Sequence, residues 1–124
     1  MSKPPKVEMA KAEPLQDFYS DRDSNQYSVA RLIDDAKNLP VFEVPVAALS
    51  VGDVIWAGAN ILELAFHVRK CMDADLDCPI LLDWHGDIAD GRHRLIKAIA
   101  TGKRTIKARR ITWKPTPCRP AEQK

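Results

Sequence analysis

The most informative stretch of the sequence runs from Pro79 to Ile111 and reads PILLDWHGDIADGRHRLIKAIATGKRTIKARRI. It opens on a continuous apolar run of strand length, which predicts a central strand covered on both faces. A turn at His85 and Gly86 then leads to DIAD, which predicts a second strand that returns beside the first. Two short paired strands therefore come before the rest of the stretch.

A helix and a basic strand complete the stretch. The residues after Gly91, RHRLIKAIATG, carry an apolar stripe at helical spacing, and Gly102 suits the position just beyond the last helical residue. RTIKARRITW then has the β-branched and alternating character of a strand. The predicted order is strand, turn, strand, Asp90-Gly91, helix, strand.

The sequence N-terminal to this stretch predicts a short helix and an edge strand. Ser28 is a candidate N-cap for an amphipathic helix, and Pro40 ends the helical pattern. Val41–Val46 is β-branched and aromatic, but Pro45 has no amide hydrogen for a ladder, which favours an edge strand.

A second upstream helix has the clearest signals. Asn60 followed by Glu63 has the form of a capping box. Five apolar residues then recur on one face through ILELAFHVRKCM: Ile61, Leu64, Ala65, Val68 and Met72. Together the elements predict an α+β fold with a small mixed sheet and packed helices. We expect a flexible arm over 1–26, one folded domain over 27–114 and a flexible tail over 115–124.

Composition bounds the class of protein. The 124 residues are 45% hydrophobic and 29% charged, which is typical of one globular domain, and no apolar stretch has the length of a bilayer span. Three cysteines without a C-x-x-C pair indicate neither a disulfide framework nor a zinc site. We therefore expect a cytoplasmic protein without a membrane partner.

Charge is distributed unevenly along the chain. Residues 1–90 contain 8 Lys/Arg and 16 Asp/Glu, whereas residues 91–124 contain 11 Lys/Arg and a single acidic residue, so the two parts carry about −8 and +10. A basic segment can attract nucleic acid, or it can neutralise acidic elements packed beside it. Both interpretations stay open for the candidate nucleic-acid-binding residues of the last strand: Lys103, Arg104, Lys107, Arg109 and Arg110.

The segment DGRHR, Asp90 to Arg94, is a candidate phosphate-binding turn. Its position places the backbone amides of Arg92, His93 and Arg94 at a helix N-terminus, where unpaired N–H groups and the helix dipole favour an anion. Gly91 allows close approach, and the two guanidinium groups suit phosphate oxygens. Asp90 is also a candidate N-cap of the helix.

The same stretch resembles the core of the ParB/sulfiredoxin superfamily, whose pattern is apolar strand, hairpin, D-G-x-H-R, helix, Gly and basic strand. The resemblance covers about 70 residues, from Val41 to Ile111. It implies a ParB/sulfiredoxin-like fold and a nucleoside triphosphate, ATP or CTP, with Mg²⁺ as the cofactor. The implied phosphate ligands are Gly91, Arg92, His93 and Arg94.

Three departures from family patterns shape the functional hypothesis. Sulfiredoxins have a catalytic cysteine immediately before the His-Arg pair, where this chain has Arg92, so sulfinic acid reduction is not expected. Only about a dozen residues follow the last predicted strand, so the DNA-reading domain of partition proteins is not expected either. Free-serine kinases of the superfamily carry a similar turn, which leaves a small-molecule kinase as an alternative.

The leading hypothesis is a ParB-like domain that associates with nucleotide and DNA in a bacterium or in a plasmid or phage. Whether it is an enzyme stays open. For a nucleotide phosphohydrolase or nuclease, the candidate catalytic residues are Asp90, as ligand of a metal ion or orienter of water, and His93 as acid or base. The other alternative is a non-enzymatic adaptor or inhibitor that binds protein or DNA through its basic face.

Overall fold

The computed structural model describes residues 3–9 and 17–121, and the protein has an α+β fold. Its described part contains three helices and six strands in two sheets. The helices are α1 (Val29–Ala36), α2 (Ile61–Asp73) and α3 (Arg92–Ala100). The strands are β1 (Phe18–Ser20), β2 (Gln26–Ser28), β3 (Phe42–Pro45), β4 (Ile80–Leu82), β5 (Ile88–Asp90) and β6 (Thr105–Arg110), with a 3₁₀ turn at Val46–Ala48.

The larger sheet is mixed, with the strand order β3-β6-β4-β5. Strand β6 is antiparallel to β3 and parallel to β4, and β5 returns antiparallel to β4. All three residues of β4 are buried, which confirms the prediction of a central strand. Strand β3 lies at the edge of the sheet, as its proline predicts, with Pro45 opposite Thr105 at the end of the ladder.

The larger sheet buries one apolar cluster on each face. Because side chains alternate along a strand, Ile80 and Leu82 point to one face and Leu81 to the other. The first cluster also contains Leu95 and Ala98 of α3. Residues of α1, β1 and β2 pack on Leu81 in the second cluster, and among them are Tyr19, Tyr27, Val29, Leu32 and Ala36.

Residues 17–26 do not form the flexible arm that their polar composition predicts. β1 and β2 pair as an antiparallel hairpin in which Tyr19 lies opposite Tyr27, and both side chains are buried. Large aromatic rings bury enough area to order a short hairpin, and a count of polar residues does not register that contribution. Residues 1, 2 and 10–16 of the predicted arm lie outside the described residues.

The predicted C-terminal tail also packs on the body as far as residue 121. The amides of Cys118 and Arg119 donate hydrogen bonds to the Gln26 carbonyl, at 2.9 and 3.1 Å. The Ala121 amide donates to Oδ1 of Asn25 at 2.8 Å. Backbone hydrogen bonds to β2 therefore order a proline-rich segment that has little apolar surface of its own; residues 122–124 lie outside the described part.

The predicted N-caps of α1 and α2 are confirmed. Oγ of Ser28 accepts a hydrogen bond from the Arg31 amide at 3.4 Å, and Oδ1 of Asn60 accepts from the Glu63 amide at 2.8 Å. Helix α1 ends at Ala36, before Pro40 is reached. None of the helices in the described part of the chain combines the length and the apolarity that crossing a bilayer requires.

The apolar stripe of α2 faces solvent. Ile61 is 89% exposed and Met72 is 68% exposed, and no residue of the helix is buried. The partly buried residues lie on another side of the helix and include Phe66, His67 and Lys70. Periodicity predicted the helix correctly, but it could not say which side packs on the body. That choice places polar and aromatic side chains of α2 beside the first turn of α3.

Candidate functional site

The turn between β5 and α3 depends on Gly91. Its φ of +108° is one that residues with side chains rarely adopt. A Cβ atom at this position would lie 2.5 Å from Cγ2 of Ile80, whose side chain is fully buried in β4. Glycine is therefore required both by the backbone conformation and by the close approach of the turn to the sheet.

The N-terminus of α3 has no side-chain cap. The Leu95 amide donates to the Gly91 carbonyl at 3.0 Å in the first turn of the helix. The amides of Arg92, His93 and Arg94 precede that bond, so they have no acceptor one turn back in the helix. Asp90 does not act as the cap that the sequence allowed. This helix end has the unpaired N–H groups and the positive end of the dipole that favour an anion.

Asp90 and Arg94 form an ion pair. One guanidinium nitrogen of Arg94 donates to Oδ2 of Asp90 at 2.8 Å, and a second donates to the Pro79 carbonyl at 3.0 Å. These contacts link the first turn of α3 to β5 and to the residue that precedes β4. The predicted metal role of Asp90 and phosphate role of Arg94 stay predictions, and either ligand would compete with this ion pair.

An imidazole pair lies beside the turn. Nδ1 of His67 on α2 is 3.0 Å from Nε2 of His93 on α3. The rings are only 18° from coplanar with centroids 5.2 Å apart, so they meet edge to edge through a hydrogen bond. The Trp56 indole covers both rings, 4.1 Å from His67 at 10° and 5.3 Å from His93 at 26°. Three aromatic side chains from a loop and two helices thus form one packed unit.

The environment keeps both imidazoles neutral. Burial lowers the pKa of His93 to about 4, and the ammonium group of Lys70 contributes in the same direction. The carboxylate of Asp90 opposes this lowering, whereas His67 and Arg94 add to it. The pKa of His67 is also lowered, chiefly by burial and then by Lys70. At neutral pH the hydrogen bond therefore joins two uncharged rings, one as donor and one as acceptor.

This environment predicts a loss of stability as the pH falls. In the unfolded chain a histidine binds its proton near pH 6.5, whereas folded His93 resists protonation down to about pH 4. The unfolded state binds more protons in this window, so the free energy of unfolding decreases as pH is lowered through it. We expect urea midpoints to fall between pH 7.5 and 5, and to fall less steeply in His93→Gln. If the urea midpoint of His93→Gln falls with pH as steeply as that of the wild type, the lowered pKa of His93 is not the cause.

The first turn of α3 opens into a cavity of about 430 Å³. Its walls come from the β1–β2 hairpin, α1, the loop before α2, α2 itself and the turn: Asp17, Phe18, Val29, Val54, Ile55, Trp56, Lys70, Ala89, Asp90, Gly91, Arg92 and His93. A neighbouring cavity of about 270 Å³ shares Lys70, Asp90, Gly91 and His93 with it. The size lies within the range of small-ligand sites.

Two cations of this cavity have no acidic partner among the residues that the structure describes. In residues 3–9 and 17–121, neither Lys70 nor Arg92 forms an ion pair, whereas Arg94 is paired with Asp90. The Lys70 ammonium lies 5.4 Å from the centre of the Phe66 ring. Free cations beside unpaired backbone amides suit phosphate oxygens.

The same surroundings suit a magnesium ion less well. Mg²⁺ is usually held by one or two carboxylates together with phosphate oxygens and water. The cavity has two carboxylates, and one of them, Asp90, is engaged by Arg94. Asp17 is the other. The phosphate part of the expected cofactor therefore fits the residues present, and a metal would depend on Asp17 and on the second oxygen of Asp90.

The other two aspartates near the turn have structural contacts. Asp83 is fully buried, and its Oδ1 accepts hydrogen bonds from the amides of His85 and Asp87 at 2.8 and 2.9 Å. Its Oδ2 accepts from the Tyr19 hydroxyl at 2.8 Å. Asp87 forms a two-point ion pair with Arg22. Asp83 thus joins the β4–β5 turn to Tyr19 of the β1–β2 hairpin.

A second set of potential metal ligands lies away from the cavity. Carboxylate oxygens of Asp21 and Asp23 and a ring nitrogen of His85 lie within 4.8 Å of one another. Asp21 already accepts hydrogen bonds from the amides of Asp23 and Asn25, and the Lys114 ammonium lies 3.8 Å from Asp23. These contacts account for the cluster without an ion.

Most of the candidate nucleic-acid-binding residues have intramolecular partners. Lys107 pairs with Asp77 at 3.3 Å, while Arg109 and Arg110 each donate a 3.0 Å hydrogen bond to a backbone carbonyl, of Leu39 and Trp84. Lys103 and Arg104 are exposed before β6. The structure thus provides an acidic partner for Lys107 and backbone acceptors for Arg109 and Arg110, and a role in binding nucleic acid stays a prediction.

Sequence reasoning missed three contributors to the site. The sequence-based predictions included neither His67 and Lys70 of α2 nor Trp56 as residues of the site. Their spacing, one helical turn apart in the case of His67 and Lys70, was visible in the sequence. No signal connected α2 with the turn at Gly91, because that contact is made only when the helices pack.

No family model matches the chain, and neither a curated protein nor a solved structure matches it. The ParB/sulfiredoxin resemblance therefore stays a prediction from the sequence.

Proposed function

We propose that the protein binds the phosphate chain of a nucleoside triphosphate, ATP or CTP, at the N-terminus of α3. The observation that carries the proposal is the uncapped first turn of α3, which opens into a cavity with two cations, Lys70 and Arg92, that form no ion pair among the described residues. Backbone N–H groups, a dipole and nearby cations together make a site for an anion. The resemblance of DGRHR to the superfamily turn supports the choice of a nucleotide.

Each part of the site has a distinct task in this proposal. The amides of Arg92 and His93 donate to phosphate oxygens at the helix end. The Arg92 guanidinium offers a planar fork for two oxygens of one phosphate, and Lys70 adds a compact charge from α2. Gly91 keeps the turn free of a side chain. His93, neutral at pH 7, can accept a proton from an attacking water or donate its own ring N–H to the ligand.

The wider functional assignment rests on the same turn. We propose a ParB-like domain of a bacterium or mobile element that acts in the cytoplasm on or near DNA, with nucleotide hydrolysis or nuclease activity as its enzymatic form. The basic residues after Gly91 support association with DNA. In the enzymatic form His93 is the acid or base, and Asp90 is the ligand of a metal ion.

Thermal unfolding with ATP, CTP and GTP, with and without magnesium, tests the proposal. A nucleotide at a hundred times its dissociation constant is expected to stabilise the fold by about 2.7 kcal/mol. Arg92→Ala and Lys70→Met are each expected to weaken binding by about 10-fold or more, because each removes a charge-assisted contact.

The controls separate a specific contact from net charge. Lys37→Ala removes one positive charge from an exposed pair on α1, outside the cavity, and is expected to leave nucleotide affinity unchanged. Absence of a shift with every nucleotide in the wild type would contradict the proposal. Equal weakening by Lys37→Ala and Lys70→Met would show that only the overall field matters.

A non-enzymatic adaptor is the second candidate, and one observation favours it. Helix α2 presents an aliphatic stripe to solvent along its length, with Ile61, Leu64, Val68 and Met72 all exposed. Contiguous exposed apolar surface often marks a protein contact. The adaptor alternative expects no nucleotide-dependent stabilisation, so the same thermal experiment distinguishes the two functions.

A further inference from the structure

We infer that His67 is a positioning residue for His93, and that a bound phosphate selects a relay of two hydrogen bonds. In this relay His67 donates its Nδ1–H to Nε2 of His93, and His93 donates its Nδ1–H to a phosphate oxygen. The inference rests on the proposed phosphate site and adds to it the residue that sets the protonation pattern of His93.

The geometry leaves one nitrogen of His93 for a ligand. Nε2 of His93 is committed to Nδ1 of His67 at 3.0 Å, in nearly coplanar rings. The only ring nitrogen of His93 that remains for a ligand is therefore Nδ1. His93 lines both cavities at the first turn of α3, so a phosphate at the helix N-terminus lies beside this ring.

The number of protons on each ring then determines the direction of the two hydrogen bonds. A neutral imidazole has one N–H donor and one acceptor nitrogen. A phosphate oxygen carries lone pairs and charge, so it needs a donor at Nδ1 of His93. Once His93 uses its single proton there, its Nε2 must accept, and Nδ1 of His67 must carry the proton between the rings. The reverse arrangement would direct a lone pair of His93 at the anion.

The surroundings hold the relay in place. The Trp56 indole lies 4.1 Å from the His67 ring and nearly parallel to it, and it extends over His93. The indole restricts the rotation of both imidazole rings out of their common plane. Burial and Lys70 keep the pair uncharged, so that each ring has one proton to place. Hydrogen bonds arranged in a chain polarise one another, which strengthens the donor that faces the ligand.

Ring-nitrogen NMR of ¹⁵N-labelled protein at pH 7.5 tests the relay, with inorganic phosphate, ATP and CTP as separate probes. In the wild type with a bound probe, we expect protonated Nδ1 and bare Nε2 in both histidines. His67→Phe keeps a flat ring against Trp56 but has no hydrogen-bond donor. The variant is expected to lose the protonated Nδ1 of His93 and to bind each probe about 3- to 10-fold more weakly. His67→Asn places an amide donor near the former Nδ1 and is expected to restore most of the affinity.

The outcomes separate this inference from the phosphate function. Binding of a probe with the proton of His93 on Nε2, or on both of its nitrogens, would overturn the relay and leave the phosphate site intact. If His67→Phe binds a probe with wild-type affinity, the relay is also overturned and the phosphate site stays intact. If none of the three probes binds the wild type, the phosphate function and the relay both fail.

Discussion

Replacing Gly91 by alanine is expected to lower the free energy of unfolding by about 3 to 5 kcal/mol. Two effects combine at this position. An alanine must adopt a φ near +108°, which is unfavourable for any residue with a side chain. Its Cβ would also meet the Cβ and Cγ2 atoms of Ile80, at 2.8 and 2.5 Å, in a strand that cannot move without disturbing the core. Urea unfolding of the purified variant measures the loss.

Gly102 offers a matched control for this prediction. Its φ of +77° is also in the left-handed region, but a Cβ there would have no atom within 4 Å. Gly102→Ala is therefore expected to cost only about 1 kcal/mol, which reflects backbone strain alone. If the two variants lose the same stability, the close approach to Ile80 does not contribute and the packing argument for Gly91 is wrong.

Removing the Asp83 carboxylate is expected to have a similarly large effect. Asp83→Ala would leave the amides of His85 and Asp87 and the Tyr19 hydroxyl without their acceptor in a buried site. Unsatisfied buried donors are costly, and we expect a loss of about 3 to 5 kcal/mol in the free energy of unfolding. The measurement is denaturant unfolding followed by circular dichroism.

Two companion variants divide this effect into its parts. Tyr19→Phe removes one of the three donors and keeps the ring, so about 1 kcal/mol is expected. Asp87→Ala removes the second aspartate of the same turn, whose ion pair with Arg22 is partly exposed, and less than about 1 kcal/mol is expected. Comparable losses for Asp83→Ala and Asp87→Ala would contradict the view that Asp83 organises the turn.

The two aspartates also show how far sequence reasoning reaches. Asp83 and Asp87 lie four residues apart in one hairpin, and both are ordinary turn residues in the sequence. Their different burial follows from Tyr19, which approaches from the β1–β2 hairpin more than 60 residues away. Nothing in the local sequence of either aspartate contains that information.

Short-range sequence signals predicted most of the helices and strands of this protein. The apolar run before Asp83 predicted the buried central strand, Pro45 predicted the edge strand, and Ser28 and Asn60 predicted two helix starts. These predictions succeed because each depends on contacts or hydrogen bonds within a few residues, or on the number of faces a strand buries.

The assembly of the site depends instead on how the helices and strands pack on one another. Helix α2 packs with its polar and aromatic side inward, which brings His67 and Lys70 to the turn and leaves the aliphatic stripe exposed. The tyrosine hairpin orders a segment whose composition predicts a flexible arm. Both outcomes depend on packing between surfaces that lie far apart in the sequence. Hydrophobic periodicity shows that a helix has an apolar and a polar side, but it does not show which side packs on the rest of the protein.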